Sequence, residues 1–231
     1  MKIKHIMING ASSGIGAALS QLVAEQGHKL SLCGRSETKL AKVLTSIPSE
    51  SLIHAEHFCV SEQSRITNFC QKAQVKLNVD VLINCVGINQ SREDAVGVAE
   101  ETLDWHMKIN CYAPLAFINQ LAPNMQSRKS GVILNVLSTV CLFSNPGIAV
   151  YSASKAALDS YTKVMRKELR TDNVKVLSIY PGGVDTDFRE AERPNYLSAL
   201  DIAHAIENMI STNGKANIHE LVIRPTSEEN Y

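Results

Sequence analysis

The chain of 231 residues balances 23 Lys plus Arg against 23 Asp plus Glu and is 45% hydrophobic, which suits one domain with a sizeable core. Zero formal net charge without a basic stripe or a block of one sign argues against nucleic acid as a partner and against a charged tail. Cysteines scattered at 33, 59, 70, 85, 111 and 141, with no Cys-x-x-Cys pair, argue against a disulfide frame or a zinc site and suit a reducing compartment, so a cytoplasmic protein is expected.

Ile3 to Ile8 reads as a short apolar strand, too short for a signal sequence or a membrane span. It runs straight into Asn9-Gly10-Ala11-Ser12-Ser13-Gly14-Ile15-Gly16, and Ala17 to Gln26 follows with helical periodicity. Strand, glycine turn and helix in that order make a phosphate cradle. Gly10 permits the tight turn, Gly14 lets the backbone approach a pyrophosphate, and Gly16 lets helix pack on strand. The free amides at the helix start face the anion, with Ser12 and Ser13 as added hydroxyl donors.

Further along, Lys29 to Cys33 is a second strand, Glu37 to Ser46 a short helix, Leu52 to Val60 a third strand and Glu62 to Leu77 a longer helix. Val79 to Asn84 is a fourth strand leading to Gly87, and Glu101 to Gln126 holds one or two helices broken near Pro114. Gly131 to Leu137 is a fifth strand, Val150 to Thr171 a helix, Val174 to Tyr180 a sixth strand, Ser198 to Ser211 a helix and His219 to Ile223 the last strand. Strands alternating with helices in this way predict one α/β domain over 1–231, a Rossmann-like doubly wound fold with a seven-stranded parallel sheet flanked by helices. Such a sheet gathers the segments after its strands on one rim: Gly10 to Gly16, Gly34 to Ser36, Asn84 to Gly87, Ser138 and Pro181 to Thr186.

Tyr151 and Lys155, four residues apart in a helix-favouring stretch, project a phenol and an ammonium from one helical face. A phenol with a pKa of about 10 is a poor acid-base catalyst near neutrality, and a neighbouring cation favours its ionised form. Tyr and Lys at this spacing also occur on many solvated helices, so the pair takes its meaning from the elements around it.

Taken together, these motifs resemble the short-chain dehydrogenases/reductases over nearly the whole chain. Asn9 to Gly16 is similar to the family's cofactor loop, with Asn9 where threonine is more usual. Asn84-Cys85-Val86-Gly87 resembles its Asn-Asn-Ala-Gly element, departing at Cys85 and Val86. Ser138, thirteen residues before Tyr151, matches the catalytic serine, Tyr151 with Lys155 the Tyr-x-x-x-Lys motif, and Asn110 the family's structural and catalytic asparagine. Pro181-Gly182-Gly183-Val184-Asp185-Thr186 resembles the segment clasping the nicotinamide half.

The resemblance implies an oxidoreductase that moves a hydride between nicotinamide and a small carbonyl or secondary alcohol. Tyr151 would be the proton donor, Ser138 a hydrogen-bond partner of the same oxygen and Lys155 both the tuner of Tyr151 and a ribose contact. Asn110 would hold a water linking Lys155 to solvent. Cofactor contacts are expected at Gly10, Ser12, Ser13, Gly14, Ile15, Gly16, Arg35, Ser36, Cys59, Val60, Asn84, Gly87, Tyr151, Lys155, Pro181, Gly182, Val184 and Thr186. At Cys59 many relatives have an aspartate that contacts adenine.

For cofactor choice, an acidic side chain about twenty residues past the glycines selects NAD, and that place is Gly34, followed by Arg35, whose guanidinium suits a 2′-phosphate. NADP(H) is therefore favoured, with NAD admitted. A short substrate lid is expected at about 185–197, where Arg189 and Arg193 are candidates for a substrate carboxylate or plain solvation. Phe143 suits a pocket wall or plain packing. Relatives commonly pair through the helices corresponding to Glu101 to Gln126 and Tyr151 to Thr171, so a homodimer or homotetramer is expected. The rival readings are a nucleotide-sensing protein without redox chemistry, whose usual mark, loss of the Tyr or the Lys, is not present, and a partner-binding protein acting through a helical surface, which counts against an enzyme only if the protein shows no turnover.

Overall fold

The computed structural model describes residues 3–186, 188, 193–212 and 216–228. Nine short strands and seven α-helices alternate along these residues. They run β1 His5–Asn9, α1 Gly14–Glu25, β2 Lys29–Gly34, α2 Glu37–Thr45, β3 Leu52–His57, α3 Gln63–Lys76 and β4 Val81–Asn84. There follow α4 Glu100–Met107, α5 Ala113–Ser127, β5 Gly131–Val136, α6 Ala149–Glu168, β6 Val174–Pro181, β7 Val184–Asp185, β8 Leu197–Ser198, α7 Ala199–Ser211 and β9 Glu220–Ile223.

Seven of the strands form one sheet in the order β3-β2-β1-β4-β5-β6-β9, every pair of it parallel. Parallel strands need crossover helices, and those helices cover both faces, so the central strands are buried throughout. One face packs Leu19 and Val23 of α1 with Ile202 and Ile206 of α7; the other packs Phe69 of α3 with Phe117 and Met125 of α5. The strand order turns back between β1 and β4, and that switch point opens a crevice at the carboxyl ends of the strands. No helix among the described residues is long and apolar enough to cross a membrane.

Three local features differ from expectation. The third strand stops at His57 instead of Val60, because Phe58 makes one last bond to the Gly34 carbonyl and then turns into the second core. The predicted break near Pro114 takes the form of a π-helical turn, Lys108–Tyr112, that joins α4 to α5, and Pro114 sits in the first turn of α5, where proline is tolerated. β7 and β8, read as loop, pair in parallel across the base of the 185–197 segment. Within that segment Arg189 lies outside the described residues.

Candidate active site

The glycine loop is shaped by close backbone approaches. Gly10 has φ +70°, and a Cβ there would stand 2.9 Å from the Val86 amide nitrogen. At Gly16 it would stand 2.3 Å from the Gly10 carbonyl oxygen. Neither position admits a side chain without moving backbone. Gly14, with φ +53°, faces the Thr186 side chain, whose Cγ2 would lie 3.4 Å from a Cβ, so the start of α1 and the segment after β6 meet across the crevice.

A row of buried amides ties this loop to the catalytic-candidate helix. Asn9 Oδ1 accepts from the Cys85 and Val86 amides at 3.0 and 3.1 Å, and its Nδ2 donates to Asn84 Oδ1. Asn84 Nδ2 donates to Asn135 Oδ1 at 2.7 Å, and Asn135 Nδ2 to Thr162 Oγ1 of α6 at 2.8 Å. Asn9, Asn84 and Asn135 are direct neighbours across β1, β4 and β5. Both ends of the Asn84 side chain are thus engaged inside the sheet, leaving its backbone at the rim.

On α6, Tyr151, Ser154, Lys155, Leu158 and Thr162 form the buried stripe expected of helical spacing. Lys155 Nζ donates to the Val136 carbonyl at the end of β5, 2.9 Å away. Burial pushes its ammonium down to about 8, because the charged form gives up water for one carbonyl. Beside it, a Cβ on Gly87 would lie 3.4 Å from Lys155 Nζ and 3.5 Å from Asn110 Oδ1. Gly87, Asn110 and Lys155 therefore converge, and a Cβ at position 87 would sit in van der Waals contact with both polar groups.

Asn110 occupies the π-helical turn, a local rearrangement frequent at functional sites. Its Oδ1 accepts from the Ile88 amide at 2.7 Å, while Nδ2 reaches the Ile88 carbonyl and Ser154 Oγ, both at 2.9 Å. Ser154 Oγ in turn donates to the Tyr151 carbonyl at 2.8 Å. Sequence reading missed Ser154, which links Asn110 to the backbone of Tyr151, because a serine inside a helix carries no local signal. Ser138 follows β5 and caps a short 3₁₀ turn, accepting from the Val140 amide at 3.3 Å; its hydroxyl hydrogen remains available to donate. The Tyr151 ring packs beside Phe188 with centroids 6.2 Å apart.

At the other end of the crevice, Arg35 is exposed just past β2, and Ser36 caps α2 by accepting from the Lys39 amide at 3.3 Å. A cleft of about 420 Å³ there is lined by Ser12, Ser13 and Gly14 of the glycine loop, Lys39 and Lys42 of α2, and Asp185 and Thr186 after β6. The two lysines, one turn apart on α2, were not singled out from sequence, since an exposed Lys pair reads as ordinary helix surface. The donor set fits the phosphates of a dinucleotide: a glycine turn at the start of a helix, two hydroxyls and two ammonium groups that outnumber the single Asp185 carboxylate, with Arg35 exposed just past β2. Cys59 accepts from Ser61 Oγ at 3.1 Å, and Val60 is buried beside it. Pro181 ends β6 and Val184 opens β7, so Gly182 and Gly183 span the gap between them. Burial drives the Cys85 thiol up to about 12 and the Cys141 thiol to about 11, well away from reactive thiolate.

Residues 4–197 match the family described as short chain dehydrogenase. An uncharacterised oxidoreductase of Staphylococcus saprophyticus is 32% identical over 230 residues, covering 96% of this chain and 97% of its own. Among solved structures, an alcohol dehydrogenase from the archaeon Thermococcus sibiricus complexed with 5-hydroxy-NADP superposes with a TM-score of 0.89 at 22% identity, over the full length of both chains. A metagenomic short-chain oxidoreductase in complex with NADP superposes with a TM-score of 0.85 at 25% identity, over 96% of this chain and 97% of the other.

Proposed function

The chain belongs to the short-chain dehydrogenase family and is an oxidoreductase, and from that premise we propose an NADP(H)-dependent enzyme interconverting a carbonyl and a secondary alcohol. The observation that carries this reading is the buried pair of Tyr151 and Lys155 on one face of α6, with the lysine anchored on the end of β5. The nicotinamide, when bound, supplies or accepts the hydride at the substrate carbon.

In reduction Tyr151 Oη gives its proton to the substrate oxygen, so that carbonyl, hydride and proton sum to the alcohol; in oxidation it takes the proton back. The Lys155 charge favours the ionised phenol and so draws the Tyr151 proton toward the pH at which it must move. Ser138 donates a hydrogen bond to the same oxygen and stabilises the charge that develops there. Asn110 acts as a positioning residue: it fixes the Ile88 segment and, through Ser154, the backbone at Tyr151. Arg35, Ser12, Ser13, Lys39 and Lys42 hold the phosphates, and the absence of any side chain at Gly34 favours the phosphorylated ribose. NADP bound to the metagenomic relative supports the same choice.

Exposed Tyr112, Tyr161 and Val164 on the α4–α6 face support pairing with a second copy. Six free cysteines support a reducing, cytoplasmic setting. The 185–197 segment is the substrate lid, with Phe188 against Tyr151.

Tyr151→Phe tests the reading. NADPH binding, followed by its fluorescence, is expected to persist while carbonyl reduction falls about 10²- to 10⁴-fold. Turnover within a few-fold of the parent would remove Tyr151 as the donor, and a parent that binds NADPH yet reduces no carbonyl would favour a nucleotide sensor.

A further inference from the structure

The segment after β9 returns to the rim of the sheet and places a guanidinium there. The Gly182 amide donates to the Ile223 carbonyl at 2.8 Å, which pins the end of β9 to the segment following β6. The next residue, Arg224, lays its guanidinium over the Phe143 ring, 4.6 Å from the centroid. Phe143 lies five residues past Ser138, on the loop that leads to Tyr151. Arg224 thus stands between two segments that border the substrate end of the crevice, the one after β5 and the one after β6.

One of its charge partners, Glu228, is poorly accommodated. Arg224 Nη1 and Glu228 Oε2 are 4.0 Å apart, a charge pair beyond direct hydrogen-bond reach. Among the described residues Glu228 Oε2 is buried and has no hydrogen-bond partner. The same oxygen lies over Gly182, in the space that the missing side chain leaves open: a Cβ there would come within 2.1 Å of it. A buried carboxylate oxygen lacking donors is costly, whereas an incoming carboxylate that takes two parallel bonds from a guanidinium is favoured. Next to Glu228, Ser227 Oγ donates to the Asn195 carbonyl at 3.0 Å, so this tail is tied to the 193–197 end of the lid segment.

We propose that Arg224 receives the carboxylate of an acidic substrate in exchange for Glu228, so that the enzyme acts on oxo acids and hydroxy acids in preference to their uncharged analogues. The inference rests on the carbonyl-alcohol chemistry above and adds the substrate class. Glu228 is then a displaceable stand-in for the substrate carboxylate, and its departure loosens the tail where it meets the lid.

The test compares 2-oxo and 3-oxo acids of four to six carbons with their methyl esters, each with NADPH. The parent is expected to give a higher kcat/KM for at least one acid than for its ester. In Arg224→Met, which keeps the aliphatic stem against Phe143, the acid-to-ester ratio is expected to fall about tenfold or more through KM, the scale of a lost charge-assisted pair. Arg224→Lys restores part of it, and Glu228→Gln lowers KM for the acid. Saturable quenching of NADPH fluorescence by the same acids reads the site without turnover, and a cooperative thermal transition with intact NADPH binding certifies each variant as folded. Esters preferred throughout by the parent, or a ratio unchanged in folded Arg224→Met, would overturn the carboxylate site and leave the hydride chemistry standing. Acids that bind through Arg224 while neither acid nor ester is reduced would instead sink the chemistry and keep the site.

Discussion

Gly34→Asp puts the geometry of cofactor selection to a direct test. An acidic residue at the end of β2 is the device by which this fold selects the unphosphorylated ribose, so the substitution alone should convert the enzyme to NADH if space allowed. It does not: a Cβ at position 34 would lie 2.5 Å from Ser12 Cβ, 2.6 Å from its Oγ and 3.0 Å from its amide nitrogen. The hydroxyl can rotate away, but Cβ and nitrogen belong to a loop held by the bond from the Ala11 amide to the Cys33 carbonyl at 2.9 Å and by Asn9. Overpacking of this kind costs about 1–3 kcal/mol. Spent on displacing the glycine loop, that is about a 5- to 150-fold loss of affinity for either cofactor. Steady-state KM for NADPH and NADH should therefore show Gly34→Asp weakened toward both, with a lower melting temperature. Ser12→Gly combined with Gly34→Asp removes the offending Cβ and should recover NADH at the expense of NADPH. A single Gly34→Asp enzyme of undiminished stability that prefers NADH would refute this account.

Other consequences follow from buried groups and from the surface. Burial lowers Lys155 from 10.5 to about 8, so between those values the unfolded chain binds the proton that the folded, cofactor-free protein has released, and stability rises with pH across that window. The gain approaches about 3 kcal/mol; Lys155→Met should lack it, and melting curves that run parallel from pH 7 to 10 on the usual protein scale would contradict the assignment. Asn135→Leu strands Asn84 Nδ2 and removes the donor to Thr162, so urea unfolding should report a loss of about 2–4 kcal/mol; a variant as stable as the parent would show that the amide row contributes nothing. Tyr161→Glu with Val164→Glu charges the exposed stripe of α6 and should yield a monomer by light scattering, where an unchanged oligomer mass would place the interface elsewhere.

What was legible in the sequence was local. Gly10, Gly14 and Gly16 announce a strand–turn–helix because each constraint acts within a few residues, and Tyr151 with Lys155 share a face because the helix repeat says so. The alternation of elements gave the parallel sheet for the same reason. What escaped depends on which distant segments meet. Asn9, Asn84 and Asn135 become one row only through the register of three strands separated by long crossovers, and nothing in a lone asparagine signals that. Pro114 read as a break because proline usually ends a helix, yet the π-helical turn before it absorbs the irregularity and turns Asn110 toward Ile88 and Ser154. Lys39 and Lys42 join the phosphate cleft only because α2 folds back beside the glycine loop, and Arg224 meets Phe143 across eighty-one positions of chain.

The carboxamide row also bears on how the sheet assembles. Sliding β4 by one position relative to β1 or β5 would turn Asn84 to the opposite face and press an amide among aliphatic side chains. A slipped register is thereby penalised at the very strands that frame the crevice, so the row acts as an alignment key for the sheet. Strength and fidelity are then separable properties here: an all-aliphatic replacement of the row could yield a sturdy barrier to unfolding and still thread the chain incorrectly.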